Sequence, residues 1–456
     1  MFRAHQSNKA AAINPLKMSQ PLGGALAPLG IDNCLPCFHG SQGCTAFGLV
    51  LLVRHFREAI PLQTTALDQV QTILGGYGNL ETAVLTMYER NKPSLIGVCS
   101  TGLTETKGED MQGALNLFRQ KHPLVAENCQ LVFVNTPDFT GGLEEGFAQA
   151  VTATIETVVE TATMRTANQV NVLAGSHLSP GDIEEIRDLI EAFGLNPIIL
   201  PDLGASLGGR QPDDFRATTL GGTTVEQIKS MGRSVLTLVI GEHMRKPAAA
   251  LEIKTEVPYK LFDRLIGLEA CDRFIKTLAD VSGRPVPTRF RRQRDHLVDA
   301  MVDAHFYYTR KRVAVALEPD LLYAYCSFFA DMGCEVTAAV SPTQSSVLER
   351  IRAWAVQVGD HEDFETLARG TDLVVSNSHA RQTVERLGVG LVRAGFPTFD
   401  RLGAGHRVVV GYRGTRDLVF EIGNIFLHHD HTHHAQPPVD THGVTEGGHA
   451  GTHAAA

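Results

Sequence analysis

Residues 129–137 read Cys-Gln-Leu-Val-Phe-Val-Asn-Thr-Pro, a short apolar run that ends in turn residues. Similar short apolar runs recur along the chain, at 95–99, 169–174, 197–200, 234–240, 312–316 and 373–376. Short, continuous apolar runs of this kind are typical of parallel strands that are covered on both faces. We therefore interpret all of these runs as buried strands.

Segments with helical spacing lie between the runs, for example at 141–161, 180–193 and 342–358. Alternating strands and helices predict doubly wound, Rossmann-like α/β domains with parallel sheets flanked by helices. A chain of 456 residues is too long for one hydrophobic core, so two to three domains are expected. The predicted division is a disordered N-terminus at 1–14, α/β domains at 15–167, 168–300 and 301–427, and a tail at 428–456.

Ligands of doubly wound sheets sit beyond the carboxyl ends of the strands, where loops gather. Candidate functional loops therefore follow four of the runs, at 99–102, 135–137, 175–177 and 376–378. These loops also consist of ordinary turn residues, so simple turns are the alternative interpretation.

Charge and hydropathy exclude several classes of partner. The net charge is −9 and the sequence pI is near 6.1, which gives no electrostatic reason to bind nucleic acid or anionic membranes. No run of 18 or more apolar residues is present, which predicts no membrane span. The first 20 residues lack the apolar segment of a secretory signal, so we expect a cytoplasmic protein.

A basic run before the strand at 312–316 contains Arg289, Arg291, Arg292 and Arg294. It is either a docking surface for an acidic partner or a solvated helix face.

The tail from His428 is rich in histidine and holds eight of the chain's 19 histidines. Such a segment cannot bury enough apolar surface to offset the entropy of ordering, so we expect it to be disordered. Imidazoles at this density bind Zn²⁺, Ni²⁺ or Cu²⁺ in vitro, and a physiological metal-handling role remains open. The candidate metal ligands of the tail are His428, His429, His431, His433 and His434.

Eight cysteines in a cytoplasmic chain point to metal, redox or packing roles, because disulfides are disfavoured there. Cys34 and Cys37 have the C-x-x-C spacing of redox and zinc sites, although no second pair follows and packing is an equally simple interpretation. For Cys99, Cys129, Cys271, Cys326 and Cys334, packing as small apolar side chains is the default.

The most informative stretch is Gly40-Ser-Gln-Gly-Cys44. Glycines allow the backbone to approach a bulky inorganic cluster and to direct N–H groups at its sulfides. A thiolate at the end of such a loop can bind iron. A [4Fe–4S] cluster needs about four thiolates, so either Cys34 and Cys37 contribute or another chain supplies ligands. The candidate cofactor-binding residues are thus Gly40, Ser41, Gln42, Gly43 and Cys44.

Several motifs resemble the nitrogenase component 1 family, in its β-type subunits. His39-Gly-Ser-Gln-Gly-Cys-Thr-Ala-Phe47 resembles the family's cluster-binding loop. Lys17-Met-Ser-Gln-Pro-Leu-Gly23, residues 100–110 and Asn135-Thr-Pro-Asp-Phe139 keep the family's order and spacing. The resemblance covers residues 15–427, is strongest before about residue 161, and implies that 15–167 is the cluster-binding domain.

The departures from the family pattern are also informative. The catalytic β subunit of the family uses three cysteines for its share of a P-cluster. At the first position this chain has Ser19, at the second Cys44, and at the third Gly102. Serine is a poor substitute for a thiolate and glycine offers no ligand, so the resemblance implies an assembly scaffold in place of the catalytic subunit.

The resemblance implies a subunit that pairs with NifE in an α₂β₂ heterotetramer to build the nitrogenase iron–molybdenum cofactor. A [4Fe–4S] cluster is expected at each interface, with three thiolates from NifE and one from Cys44. The cofactor precursor delivered from NifB is expected to lie mainly in NifE. The Fe protein, NifH, is expected to dock while molybdenum and homocitrate are inserted, and apo-nitrogenase to accept the finished cofactor.

Three polar side chains near the motif are weaker candidates. Glu105 and Asp138 could orient ligands or be solvated loop acids, and His39 could hydrogen-bond a cluster sulfide or pack. The sequence shows no nucleophile–base pair and no P-loop, so no catalytic residue is assigned and ATP use is expected of NifH.

Three other functions are compatible with parts of the sequence. A divergent nitrogenase MoFe-protein β subunit is disfavoured by Ser19 and Gly102. A subunit of light-independent protochlorophyllide reductase fits the quoted motifs less well than the nitrogenase branch does. A small metal carrier defined by the tail would leave more than 400 residues unexplained.

Overall fold

The computed structural model describes residues 5–7, 9, 11–209 and 216–433. Within these ranges the chain forms three sheets in which every strand pairing is parallel, with helices between successive strands. This confirms the predicted α/β class, and each apolar run interpreted as a strand lies in one of the sheets. The first and second predicted domains each contain one sheet, and the third contains all strands of its sheet except β1, which lies at His5–Gln6. The exact domain limits remain a prediction.

The first sheet has the strand order β3-β2-β4-β5. In chain order, this part of the protein contains β1 (His5–Gln6), α1 (Gln20–Leu26), β2 (Cys34–His39), α2 (Gln42–Phe56), β3 (Gln63–Thr64), α3 (Gln69–Leu74), α4 (Tyr77–Asn91), β4 (Leu95–Ser100), α5 (Gly102–Lys107), α6 (Met111–Lys121), α7 (Pro123–Asn128), β5 (Gln130–Val134) and α8 (Leu143–Val158). β2 and β4 pair in register from Cys34 with Leu95 to His39 with Ser100. Their carboxyl ends therefore meet at one edge, and the loops after them lie side by side.

The second sheet has the order β7-β6-β8-β9. Its elements are β6 (Gln169–Ala174), α9 (Pro180–Glu191), β7 (Asn196–Leu200), α10 (Leu203–Leu207), α11 (Val225–Lys229), β8 (Leu236–Ile240), α12 (Arg245–Thr255), β9 (Tyr259–Phe262) and α13 (Leu268–Ser282). The start of α9 is fixed by Ser179, whose hydroxyl accepts the Asp182 N–H at 2.9 Å, and by Pro180 in the first turn.

The third sheet has the order β1-β12-β11-β10-β13-β14. Its part of the chain contains α14 (Thr288–Tyr308), β10 (Arg312–Ala316), α15 (Pro319–Asp331), β11 (Glu335–Ser341), β12 (Ala355–Val358), α16 (His361–Leu367), β13 (Leu373–Ser376), α17 (Arg381–Leu387), β14 (Gly390–Arg393) and α18 (Gly411–His433). One apolar cluster connects all three units, because it includes Leu22 of α1, Val172 of β6 and Val315 of β10. Shared burial of this kind fixes the sheets relative to one another.

The N-terminal segment differs from its prediction of disorder. His5 pairs with Gln357, so that β1 forms the edge strand of the third sheet. Lys9 then forms ion pairs with Asp360, Glu362 and Asp363 at 2.7–2.9 Å. Backbone pairing and a lysine among three carboxylates order these residues, and neither partner could be identified from the local composition of residues 1–14.

The helical prediction for 342–358 is wrong. This stretch contains a short 3₁₀ turn at Ser346–Arg350 and then the strand β12. Val347, Leu348 and Ile351 are buried with the spacing of a helix face, which explains the error. The strand that follows pairs with β11, and this tertiary pairing outweighs the local pattern.

The C-terminal tail was predicted to be disordered from His428, but α18 continues to His433. This helix packs on α14, where the Tyr308 hydroxyl donates to the Val419 carbonyl at 2.7 Å and the Tyr308 ring contacts Phe426. The remaining tail, including His434, lies outside the described residues, as do the side chains of His429, His431 and His433. The tail's metal-binding role therefore stays a prediction.

The basic run lies on α14. Arg294 binds Asp272 through two hydrogen bonds of 2.9 Å, and the Arg289 guanidinium stacks on Phe290. Arg291 and Arg292 are exposed. The run is thus partly neutralised by the protein itself, and its exposed residues fit both a solvated helix face and a docking surface. In the described part of the chain, no helix combines the length and hydropathy that a bilayer crossing requires.

Candidate cluster-binding site

Cys44 lies in the first turn of α2, immediately after the end of β2. The strand ends at His39, Gly40 and Ser41 make the turn, and the helix begins at Gln42. The Cys44 thiol is exposed, and its hydrogen-bond partner within the chain is the Ser41 hydroxyl at 3.5 Å. The first-turn amides of a helix have no intrahelical acceptors and form the positive end of its dipole. The sulfur is therefore placed where negative charge is favoured.

The glycines on either side of this turn have different roles. A Cβ at Gly40 would lie 2.6 Å from Thr101 Oγ1, so only glycine fits between β2 and the β4 loop. The Gly40 N–H donates to Thr65 Oγ1 at 3.2 Å, and its carbonyl accepts the Leu67 N–H at 3.0 Å. Gly40 thus shapes the turn and has no free N–H, contrary to the expected role of its amide toward a cluster. Gly43 has nothing within 4 Å of an added Cβ.

Ser41 and Gln42 lie beside the thiol, Ser41 half-buried and Gln42 exposed. The expected loop of 40–43 is shorter than predicted, because Gln42 and Gly43 already belong to α2. Their amides, with that of Cys44, are the first-turn donors described above. Whether Gly40, Ser41, Gln42, Gly43 and Cys44 bind a cofactor remains a prediction.

A cavity of about 430 Å³ opens next to the thiol, and we call it the Cys44 cavity. Its lining includes Ser19, Cys44 and Gly102, the three positions at which the resemblance places the family's cysteine ligands. Lys17, Phe38, Phe47, Thr101, Asp138 and His379 also line it. The structure therefore brings Ser19, Cys44 and Gly102 to one cavity although they are far apart in sequence. Of these three residues, Cys44 alone has a thiol.

Ser19 and Gly102 have structural roles at the wall of this cavity. Ser19 caps α1 by accepting the Leu22 N–H at 3.4 Å. Gly102 is the first residue of α5, and a Cβ there would meet Asp138 Cβ at 3.3 Å. Neither residue offers a ligand that iron prefers.

His39 does not reach the cavity. It is fully buried, with Nδ1 3.0 Å from Thr65 Oγ1 and Nε2 2.9 Å from Glu109 Oε2. Burial lowers the pKa of His39, and the hydrogen bond that Nε2–H donates to the Glu109 carboxylate opposes this shift only in part. The packing interpretation of His39 is therefore confirmed. Glu105 is half-buried on α5 and does not line the cavity, whereas Asp138 does.

The other seven cysteines are buried. Cys34 and Cys37 are three residues apart on β2, and side chains alternate between the faces of a strand. Cys34 accordingly belongs to the large apolar cluster and Cys37 to a second cluster on the opposite face of the sheet. Because the two thiols lie on opposite faces of the sheet, they pack in different clusters and cannot share one metal ion. Burial also raises the pKa of Cys37 to about 12.

A second polar group lies where the second and third sheets meet. His177, His243 and Asp320 follow β6, β8 and β10, and we call them the junction cluster. The sequence marked 175–177 as a candidate loop but gave no signal for His243 or Asp320, which lie in separate segments. Nearby, burial and then Glu145 raise the pKa of Glu318 to about 8.

Comparison with known proteins agrees with this geometry. The family model of "Nitrogenase component 1 type Oxidoreductase" matches residues 19–427. "Nitrogenase iron-molybdenum cofactor biosynthesis protein NifN" of Bradyrhizobium diazoefficiens is 51% identical over 426 residues, covering 92% of this chain and 91% of that protein. The protein of the same name from Klebsiella pneumoniae is 42% identical, covering 95% of each chain.

Solved structures show the same fold. "Nitrogenase Cp1 at pH 6.5" superposes with a TM-score of 0.88 at 32% identity, over 96% of this chain and 98% of that chain. A chain of "Nitrogenase Cp1 at pH 5" has a TM-score of 0.68 at 14% identity and supports the fold alone.

Proposed function

The chain belongs to the nitrogenase component 1 type oxidoreductase family, and we propose that it serves iron–molybdenum cofactor biosynthesis as a NifN-type scaffold subunit paired with NifE. Relatives that bear the NifN name are 42–51% identical over more than nine-tenths of this chain. In this proposal the chain holds one corner of a [4Fe–4S] cluster, and NifE holds the rest of the cluster and most of the cofactor precursor.

The observation that carries the proposal is the single exposed thiol of the Cys44 cavity. Cys44 is the exposed cysteine among eight, and Ser19 and Gly102 stand at the two other family ligand positions. Since a [4Fe–4S] cluster needs about four thiolates, this donor set fits a shared cluster and does not fit one held by this chain alone. A bound cluster would supply an electron-transfer centre.

Residues around Cys44 can orient and stabilise such a cluster. The amides of Gln42, Gly43 and Cys44 point out of the first turn of α2, where an anionic cluster is favoured. The Ser41 hydroxyl, 3.5 Å from the sulfur, can donate to the thiolate. Hydrogen bonds to cluster sulfurs are a principal means of setting the reduction potential.

The surface beside Cys44 suits a protein partner. Phe47, Val50 and Val53 are exposed on α2, with Phe47 70% exposed, and Phe139 is exposed after β5. An apolar patch that borders a polar site is typical of a protein interface. We propose that NifE covers this patch and completes the cluster. Docking of NifH, delivery of the precursor from NifB and transfer to apo-nitrogenase are further parts of this proposal.

The alternative is a divergent MoFe-protein β subunit, since "Nitrogenase Cp1 at pH 6.5" is 32% identical and shares the fold. Its P-cluster would need thiolates where this chain has Ser19 and Gly102. The iron count of the purified complex distinguishes the two, because a P-cluster holds more iron than a [4Fe–4S] cluster does.

The test is Cys44→Ala in the complex co-expressed with NifE. We expect iron content and the EPR signal of the reduced complex to fall strongly, while the folded structure is retained, because the thiol makes one weak contact within the chain. Cys334→Ala is the matched control, since Cys334 is a buried thiol of the third unit, far from this cavity in the fold, and it should keep the cluster. Unchanged iron in the Cys44 variant would rule the proposal out.

A further inference from the structure

The junction cluster gathers three metal-ligating side chains from three segments that each follow a strand: His177 from a turn, His243 from a 3₁₀ turn and Asp320 from the start of α15. His177 and His243 follow the adjacent strands β6 and β8 of the second sheet, and Asp320 follows β10 of the third. Each residue can bring one donor atom within 4.8 Å of the donors of the other two. Convergence at the carboxyl ends of parallel strands is the usual position of a ligand site in α/β proteins.

The internal contacts of the cluster leave donor atoms unused. His243 Nδ1 hydrogen-bonds Asp320 Oδ2, and His243 Nε2 accepts the Ser176 N–H at 3.2 Å. In contrast, His177 Nδ1 and Asp320 Oδ1 are buried and have no hydrogen-bond partner among the described residues. A buried polar atom without a partner is costly, and a native structure keeps one for a reason. The fold alone does not supply that reason here.

The charge around the cluster favours a cation. Asp320 is fully buried, and its N–H donates to Oε1 of Glu144, a second buried carboxylate. Among the described residues, the cationic side chain within ion-pair distance of these two carboxylates is His243, with no lysine or arginine. Asp320 thus has one imidazole as its cationic partner and a second carboxyl group beside it, so a bound cation would be favoured in this buried region.

The site also has a route of entry and a tight wall. His177 and Ser176 line a cavity of about 360 Å³ that extends to Arg393 and Arg407. On the opposite side Gly241, with φ of +101°, leaves no room, since a Cβ there would lie 2.8 Å from both Asp320 Oδ2 and His177 Cε1. The backbone therefore approaches the donors as closely as glycine allows.

We propose that His177, His243 and Asp320 form a binding site for one divalent transition-metal ion, separate from the Cys44 cavity and independent of the proposed cluster. Two imidazoles and one carboxylate are a donor set typical of Fe²⁺ and Zn²⁺. Because Nε2 of His243 accepts from Ser176, Nδ1 carries the proton shared with Asp320. For the ion to bind at Nδ1, this proton moves to Nε2, where the Ser176 hydroxyl at 3.4 Å accepts it in place of the Ser176 N–H contact, so that His243 remains a neutral imidazole. Glu144 accepts the Asp320 N–H at 3.0 Å and so orients the start of the segment that carries Asp320.

The test is metal titration of the full-length, chelator-treated chain with Co²⁺, whose visible ligand-field bands report bound nitrogen and oxygen donors, followed by competition with Zn²⁺ and anaerobic Fe²⁺. Wild type and His177→Ala are compared, with the histidine tail present in both. We expect the variant to bind one ion fewer per chain and to lose the metal-dependent rise in thermal midpoint. His122→Ala is the matched control, because His122 pairs with Glu81 at 2.8 Å and should leave binding unchanged.

Circular dichroism establishes that each variant is folded, and His177→Gln replaces the alanine variant if that variant does not fold. Equal stoichiometry and equal spectra in wild type and the folded His177 variant would mean that the tail binds all the metal, and would overturn the proposal. The same holds if metal fails to raise the thermal midpoint of the wild type. Cluster content at Cys44 is not part of this readout, so the two proposals fail separately.

Discussion

The Cys44 cavity and the junction cluster are both built at the carboxyl ends of parallel strands, yet they differ in completeness. Cys44 is exposed, stands beside an exposed phenylalanine, and is the single thiol in its cavity. The junction cluster is largely buried, and three segments of the same chain supply its donors. In our two proposals another polypeptide completes the first site, whereas this chain alone supplies the ligands of the second.

The largest effect that tests this contrast is expected from Gly241→Ala. Gly241 has a φ of +101°, and its new Cβ would meet Asp320 and His177 at 2.8 Å. We expect a loss of about 3 kcal/mol in the free energy of unfolding, from backbone strain and overpacking together. Denaturant unfolding monitored by circular dichroism measures it.

Gly43→Ala is the control in the open region. Nothing lies within 4 Å of its Cβ, so the change should be neutral or stabilising by about 0.5 kcal/mol through helix propensity. If Gly43→Ala and Gly241→Ala lowered the free energy of unfolding by similar amounts, the two regions would be packed alike. That result would contradict the difference between an open and a closely packed site.

A smaller effect is expected from Phe47→Ser at the open site. Phe47 is 70% exposed in the isolated chain, so its unfolding free energy should change by less than about 0.5 kcal/mol. Association with NifE should weaken about tenfold, since buried aromatic side chains dominate interfaces. Titration of the two subunits by light scattering or calorimetry measures the change. Leu124→Ser, at a residue 73% exposed on α7, should leave association unchanged; equal weakening by both would place the interface elsewhere.

The smallest expected effect is on the pH dependence of stability and involves His55, a residue between the Cys44 cavity and the junction cluster. α2 begins at the Cys44 cavity and carries His55 in its last turn, in the wall of the cavity that reaches His177. Burial lowers the pKa of His55 to about 4, and Nδ1 accepts the Thr398 N–H at 2.9 Å. The unfolded state binds the proton more readily, so the contribution of neutral His55 is complete above about pH 6.5 and is lost as the pH falls toward 4.

His55→Asn keeps an acceptor near Thr398 but does not titrate. The free energy of unfolding should therefore change less with pH between pH 7 and 4.5 in the variant than in the wild type. The difference in slope is at most about 1.4 kcal/mol per pH unit, because one proton is involved. If the free energy of unfolding changed with pH equally in both proteins, His55 would not be held neutral by its surroundings. Other buried histidines, such as His361, should contribute the same slope to both proteins and cancel in the comparison.

The contrast between the two sites also explains what the sequence could predict. The apolar runs predict the strands correctly because a buried parallel strand needs few specific partners. The Cys44 turn could be recognised because its residues are contiguous. Ser19 and Gly102 were placed with it by the family pattern, and the structure brings them to one cavity.

The junction cluster could not be predicted in the same way. His177, His243 and Asp320 are separated by 60 or more residues, and none stands in a ligand motif. Their proximity depends on how the second and third sheets pack. The helical prediction for 342–358 was wrong for a related reason. The pairing of β12 with β11 is a tertiary contact that local spacing does not encode.

The edge strand β1 has a consequence for folding of the protein. His5 pairs with Gln357, so β1 and its partner β12 lie more than 350 residues apart in sequence. A pairing over this separation closes a long loop and is slow to form, so the third sheet can be completed only after the intervening residues have been synthesised. The ion pair between Lys9 and Asp360 joins the same two segments and stabilises this closure.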